Sequence, residues 1–459
     1  MSTREELALR CVLPGFEGTV APRWVLKGGL GGVVLFGRNI LDPEQVRSLV
    51  AQLHSANLIV AIDEEGGDVT RLEAKTGSSY PGNLALGAAG DPSLTEEVAR
   101  AIGLDLADLG IDLNLAPVAD VNSDPRNPVI GVRSFGSQPH DVAAHTAAWI
   151  RGLQGAGVAA CAKHFPGHGD TSVDSHVALP VAGSDPRDGA LAPFQAAIAA
   201  GVRAVMSAHI VLPSLDDAPA TVSVKVMTGL LRGELGFEGV AISDGLDMRG
   251  ISGEIGIAQA AVLAMRAGCD ALCVGGGPAG VEVVSEIVGA LVREVDESRL
   301  AEAAGRVEKL RVSRDYRRNS HSESDVSPDY RGVGLVAARR AICTSGPVRV
   351  RDRAVVRRFA SRFSFAAGEV PWGMDGALAE RGVELTESGK DASLVLVVRD
   401  LHRQPGLREE VEAILARRRD AIVVEMGVPA CRPDGATSYI ATYGSARVCA
   451  QAAAEVMRP

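Results

Sequence analysis

Between about residues 28 and 276 the chain repeats one pattern: a short apolar run, a polar or glycine-rich break, then a segment of helical period. The runs are Gly-Val-Val-Leu-Phe (32–36), Leu-Ile-Val-Ala-Ile (58–62), Leu-Asn-Leu-Ala-Pro (113–117) and Val-Ala-Ala-Cys-Ala (158–162). Ala-Val-Met-Ser-Ala (204–208), Gly-Val-Ala-Ile-Ser (239–243) and Asp-Ala-Leu-Cys-Val (270–274) follow. Little polar alternation inside them means strands covered on both faces, as in a parallel sheet flanked by helices. A doubly wound open sheet also fits the alternation. The number of units over about 250 residues favours a TIM-type (β/α)8-like barrel.

Further on the pattern changes. Residues 296–318 carry a charged helical pattern, and the Ser-rich stretch 318–329 has no apolar period and reads as a linker. Helices over 330–342, 406–418 and 445–457, with strands over 393–398 and 421–426, predict a small α/β domain. The expected organisation is a catalytic barrel over 1–315, a linker over 316–330 and a C-terminal α/β domain over 331–459.

Composition adds limits rather than a function. Hydrophobic residues at 46% and charged residues at 23% are ordinary for a globular chain of 459 residues. A net charge of −10 without a basic stripe argues against nucleic acid as a partner. No apolar stretch is long enough for a bilayer, so no membrane partner is expected. Glu5 and Glu6 stand where a signal peptide needs a positive region, which points to a cytoplasmic protein. Seven scattered cysteines fit that setting as buried, reduced core thiols. Oligomeric state is not legible.

Candidate chemistry gathers at the C-terminal ends of the runs, where barrel enzymes build their sites: Asp63, Asp120, Lys163, His164, His209 and Asp244. Cys-Ala-Lys-His-Phe-Pro-Gly-His-Gly-Asp-Thr-Ser-Val-Asp-Ser-His (161–176) concentrates three of nine histidines behind one strand. A merely polar surface loop could carry any one of them. Lys163 stands out further because only six lysines occur among 47 basic residues. Gly-Val-Ala-Ile-Ser-Asp-Gly-Leu-Asp-Met (239–248) aims Asp244 at the barrel mouth, where a carboxylate can attack an anomeric carbon. Capping of the next helix is the competing role for that aspartate. Asp63, Glu64 and Glu65, with Arg71 nearby, could bind a sugar's hydroxyl pairs or form an internal ion pair. Arg133, in a Pro/Gly-rich loop, offers a fork-shaped donor.

Five ordered segments together resemble glycoside hydrolase family 3, in particular its β-N-acetylglucosaminidase branch. They are Gly-Gly-Val-Val-Leu-Phe-Gly-Arg-Asn-Ile (31–40), Ile-Asp-Glu-Glu-Gly-Gly (62–67), Asn-Leu-Ala-Pro-Val-Ala-Asp-Val (114–121), Lys-His-Phe-Pro-Gly-His-Gly (163–169) and Ser-Asp-Gly-Leu-Asp-Met (243–248). The branch assignment rests on Asp-Ser-His (174–176). The resemblance implies Asp244 as nucleophile, His176 as general acid/base and Asp174 as its orienting partner. It also implies that Asp63, Arg71, Arg133, Lys163 and His164 hold the sugar, and that no cofactor or metal is needed. Where the family often has two consecutive aspartates, this chain has Asp244 and Gly245. The expected activity is retaining exo-hydrolysis of β-N-acetylglucosaminides from cell-wall or chitin fragments.

Four alternatives stay open on sequence. A histidine acid/base repels an anionic acceptor less than a carboxylate would, so a phosphorylase of the same family is one. A substrate-assisted enzyme using Asp63 and Glu64 is a second, against which the Asp244 motif argues. A metal hydrolase with His164, His168, His176 and Asp174 or Asp170 as ligands is a third. The fourth is a non-catalytic sugar-binding protein.

Overall fold

The computed structural model describes residues 2–27, 29–171, 173, 179–275, 280–320, 330–359 and 367–459. Among these, eight short parallel strands curl into the barrel: Val12–Pro14, Gly32–Leu35, Ile59–Ile62, Leu113–Asn114, Ala159–Phe165, Ala204–Ser207, Val240–Ile242 and Leu272–Val274. The second to seventh form one ladder in chain order, and the eighth pairs with the first, Val12 opposite Leu272. An isolated bridge from Ile242 to Ala271 links the seventh to the eighth. Val12–Pro14 was not expected from the run pattern. Its apolar stretch is only three residues long and sits just after helix Arg4–Leu9.

Alternation along these strands places the site. Ile59 and Ala61, Ala159 and Cys161, Val240 and Ile242 share one cluster inside the barrel. Val60, Ile62, Ala160 and Ala241 face outward into the layer formed with Leu49, Ile102 and Trp149 of the surrounding helices. Helix Glu297–Ser320 adds Val307 and Leu310 to the inner cluster and closes one end of the barrel. Two residues beyond the inward pairs stand Asp63, Lys163 and Asp244, so the next layer at the opposite end is polar.

The smaller domain is a six-stranded sheet in the order Cys343–Ser345, Ser438–Ala441, Ile422–Glu425, Ser393–Val398, Arg353–Arg358, Glu384–Leu385; only the first is antiparallel. Helices Asp375–Glu380, Pro405–Arg417 and Arg447–Met457 accompany it. Its two faces bury separate cores, Val395, Val397 and Val424 on one, Leu396, Val398 and Val423 on the other. Strand Arg353–Arg358 escapes sequence detection because its arginines reach solvent beside the sheet edge. Helix Glu297–Ser320 runs into the first residues of the expected linker, and 321–329 lie outside the described residues. Two thiols depart from the buried expectation: Cys343, on the antiparallel edge strand, is exposed, and Cys431 is half-buried.

The two domains share an apolar cluster of Ala85, Ala338, Ala341, Ala446, Val448 and Ala452. Near this junction strand Ile422–Glu425 ends in a buried carboxylate. Glu425 accepts from the N–H groups of Asp400 (2.8 Å), Leu401 (3.3 Å) and Gly427 (2.8 Å). Burial, and then the charge of Asp400, push its pKa up to about 8. A carboxyl group raised in this way contributes stability that is whole below its unfolded pKa and is lost as pH rises through the folded one. Thermal unfolding followed from about pH 5 to about pH 8 is therefore expected to fall less steeply for Glu425→Gln than for the wild type. Parallel profiles would contradict this assignment.

Candidate active site

The polar layer opens into a cavity of about 550 Å³ at the C-terminal ends of the strands. Asp63, Glu65, Arg71, Arg133, Lys163, His164, His168, Asp244 and Asp247 line it, with Phe36, Met206 and Met248 as its apolar wall. A larger depression of about 700 Å³ lies at the other end of the barrel, beside Arg203, Arg306 and Lys309, and brings none of these carboxylates together.

Lys163, next in the inward series after Cys161, is 3% exposed along its side chain and lies between two carboxylates. Its Nζ is 2.8 Å from Asp63 Oδ1 and 2.7 Å from Glu65 Oε1. Arg133 meets Glu65 with a bidentate fork, Nε to Oε2 at 2.9 Å and Nη2 to Oε1 at 2.7 Å. Arg71 Nη2 stands 3.9 Å from Asp63 Oδ2. Burial opposes the charge of Glu65, but Arg133 and Lys163 outweigh it and hold the carboxyl far below its ordinary pKa. Burial likewise opposes the charge on Lys163, and Asp63 and Glu65 reverse that, raising its pKa. An ammonium has three donors. Among the described residues two are used, by Asp63 and Glu65, which leaves one for a hydroxyl in the cavity.

Asp120 is fully buried behind this group. It accepts from His164 Nδ1 (2.7 Å) and from the backbone N–H of His168 (2.7 Å). Burial works against its charge, yet His164 and His168 keep its pKa low. Donation from Nδ1 to this carboxylate fixes the orientation of the His164 ring. Burial lowers His168 to about 4, and its Nδ1 pairs with Thr171 Oγ1 at 2.7 Å.

Asp244 is half-buried, and Oδ1 accepts its neighbour's Gly245 N–H at 2.8 Å. The backbone around it is held from several sides. Ser243 N donates to Ala271 O (2.9 Å), Leu246 N to Cys273 O (3.0 Å) and His209 Nε2 to Gly245 O (3.0 Å). Helix capping does not explain Asp244, because the following helix, Arg249–Ile255, has Met248 at its N-cap.

Asp63, Arg71, Arg133, Lys163 and His164, all expected at the site, therefore line one cavity with Asp244. Asp174 and His176 lie outside the described residues. Glu64 does not join Asp63 as a catalytic pair. Its carboxylate turns away from the cavity and accepts from Arg71 N (2.8 Å) and Leu72 N (3.0 Å). Burial raises it to about 7. Asp170, weighed above as a metal ligand, instead accepts from Gly183 N, Ser184 N and Ser184 Oγ. Sequence reading placed Asp120 at a strand end and Glu65 in the acidic loop, but it did not single out Asp247, which also lines the cavity. Glu65 continues the alternation 59, 61, 63, whereas the pairing of Asp120 with His164, 44 residues away, left no local trace.

Residues 13–310 match the glycosyl hydrolase family 3 N-terminal domain. Beta-hexosaminidase A of Pseudoalteromonas piscicida is 42% identical over 270 residues, 52% of this chain and 45% of that protein. This chain thus spans less than half of that relative. The beta-hexosaminidase of Chromobacterium violaceum is 40% identical over 279 residues, covering 57% of this chain and 76% of its own. Among solved structures, the glycoside hydrolase family 3 beta-N-acetylglucosaminidase from Paenibacillus sp. str. FPU-7 superposes with a TM-score of 0.88 at 32% identity, over 100% of this chain and 97% of that one. The barrel, the polar layer above its strands and these likenesses agree: the chain belongs to glycosyl hydrolase family 3.

Proposed function

We propose that this glycoside hydrolase is a retaining exo-β-N-acetylglucosaminidase that removes one terminal N-acetylglucosamine at a time. The observation that carries the reading is Asp244 in the same cavity as the chain Asp63–Lys163–Glu65–Arg133. Alternating fixed donors and acceptors suit a ring of hydroxyls and an acetamido group. A cavity of about 550 Å³ suits one sugar rather than a long oligosaccharide.

Asp244 attacks the anomeric carbon while the bond to the departing oxygen breaks. His176, protonated and oriented by Asp174, gives that oxygen its proton. Neutral His176 then takes a proton from water, whose oxygen displaces Asp244 from the anomeric carbon. Two inversions return the β-configuration. A histidine with an ordinary pKa near 6.5 serves both steps close to neutral pH. We further propose a cytoplasmic setting, with cell-wall-derived fragments as substrates.

The test is turnover of 4-nitrophenyl N-acetyl-β-D-glucosaminide with and without inorganic phosphate, with the sugar product identified. Free N-acetylglucosamine, independent of phosphate, supports the hydrolase; the sugar 1-phosphate would make the enzyme a phosphorylase on the same residues. His176→Ala is expected to lose about 10²-fold or more in kcat on sugar leaving groups and less on nitrophenolate, which leaves without a proton. Equal losses on both would remove His176 from the acid role.

A further inference from the structure

The loop leaving strand Ile59–Ile62 brings Asp63, Glu65 and Arg71 to the cavity, yet its tip faces the smaller domain. Gly66 (φ 76°) and Gly67 (φ 63°) reverse the chain, and Glu65 N donates to Val69 O at 3.0 Å. A Cβ on Gly67 would stand 2.4 Å from Gly82 Cα, so the turn is seated against backbone. Asp68 at the tip is only 6% exposed. Its carboxylate accepts from Ser445 N (3.1 Å), Ser445 Oγ (2.6 Å) and Arg399 Nη2, all in the smaller domain.

The same short stretch grips the neighbouring barrel loop. His402 Nε2 donates to Pro125 O (2.6 Å) and Arg403 Nη1 to Asn127 O (2.9 Å). Asn127 Oδ1 in turn accepts from Val129 N (2.9 Å) and Ile130 N (2.8 Å), directing the chain towards Arg133. Residues 399–403 therefore touch both loops whose Glu65 and Arg133 join in the bidentate pair. The stretch is itself fixed: Asp400 N–H binds Glu425 Oε1 (2.8 Å), and the Asp400 carboxylate accepts from Val428 N (2.9 Å) and Arg403 Nη2 (2.5 Å). A buried ion pair is a weak source of net stability, because desolvation offsets the attraction. Its geometric effect is the stronger reason for placing one here.

We propose that Arg399 is a positioning residue of the active site. Acting through Asp68, it sets the 65–71 turn so that Glu65 and Arg71, and through Glu65 the Arg133 guanidinium, meet the sugar in register. This role rests on reading the cavity as a sugar site.

The test compares full-length wild type and Arg399→Ala in hydrolysis of 4-nitrophenyl N-acetyl-β-D-glucosaminide and in backbone hydrogen exchange. The expected result is a KM raised about tenfold with kcat within about twofold. Exchange should quicken at residues 65–72 and stay unchanged in the rest of the barrel. Arg399→Lys, which keeps the charge, is expected to recover part of the KM. Wild-type KM and exchange in Arg399→Ala would overturn the proposal, as would faster exchange throughout the chain with kcat and KM failing together. Should Arg399→Ala not fold, Ser445→Ala reads the same pair of signals: a raised KM with faster exchange confined to 65–72 supports the tether, and no change in either overturns it. Wild type inactive on this sugar would overturn the substrate reading alone, and the exchange comparison would still decide whether Arg399 holds the turn.

Discussion

Asp244→Ala is expected to lower kcat by about 10⁴-fold, with KM changed far less, because a nucleophile, the role proposed for this side chain, bonds to the sugar only as the reaction proceeds. The backbone around residue 244 is fixed by Ser243, Leu246 and the His209 contact to Gly245 O, so removing the carboxylate should leave the loop in place. Azide can then enter the vacated space and attack an activated glycoside directly. One displacement instead of two gives the α-glycosyl azide, and its appearance with partial recovery of rate would assign the lost group as the nucleophile. Near-wild-type turnover in Asp244→Ala would remove that role.

Lys163→Met should have the next largest effect, and on two quantities at once. The ammonium lies between Asp63 and Glu65 at hydrogen-bond distance from each, almost fully buried. Methionine keeps most of the volume and removes the charge, leaving two carboxylates without their shared cation. Glu65 retains Arg133, which places the stability loss near the lower end of the range for breaking a buried pair, about 3 kcal/mol. Among the described residues Asp63 then keeps the longer Arg71 contact, and it should swing from its position. The loss in kcat/KM is expected to be about 10²- to 10³-fold, the sum of a missing donor and a misplaced acceptor. Arg in place of Lys should not rescue, since a planar fork does not fit the site of a compact ammonium. Denaturant unfolding and steady-state kinetics check the two parts separately; a variant with wild-type kinetics would make Lys163 a core ion and not a sugar contact.

How much of this was legible beforehand follows from the range of each interaction. The barrel strands are apolar on both faces, so seven of eight showed as plain runs, and the polar residues ending them marked the mouth. Val12–Pro14 is too short to register. Lys163 and Asp244 were visible because they continue the inward alternation into a layer where water or ligand replaces packing. What could not be read is pairing at a distance: Glu65 with Arg133 across 68 residues, Asp120 with His164 across 44, Asp68 with Arg399 across 331. Glu64, between two cavity-lining residues, falls off the inward alternation 59, 61, 63, 65, and its carboxylate is taken by the backbone donors at Arg71 and Leu72. The smaller domain was legible where its strands are central and apolar and lost where arginines line the strand beside the sheet edge.

Covalent trapping tests the central claim most directly. A 5-fluoro N-acetylglucosaminyl fluoride slows both displacements while its good leaving group still lets the first occur, so the intermediate accumulates for peptide mass analysis. The account predicts one added sugar on the peptide containing Asp244, released slowly as the β-configured product. An adduct on Asp247 or elsewhere, or turnover to the inverted sugar with no adduct, would contradict it.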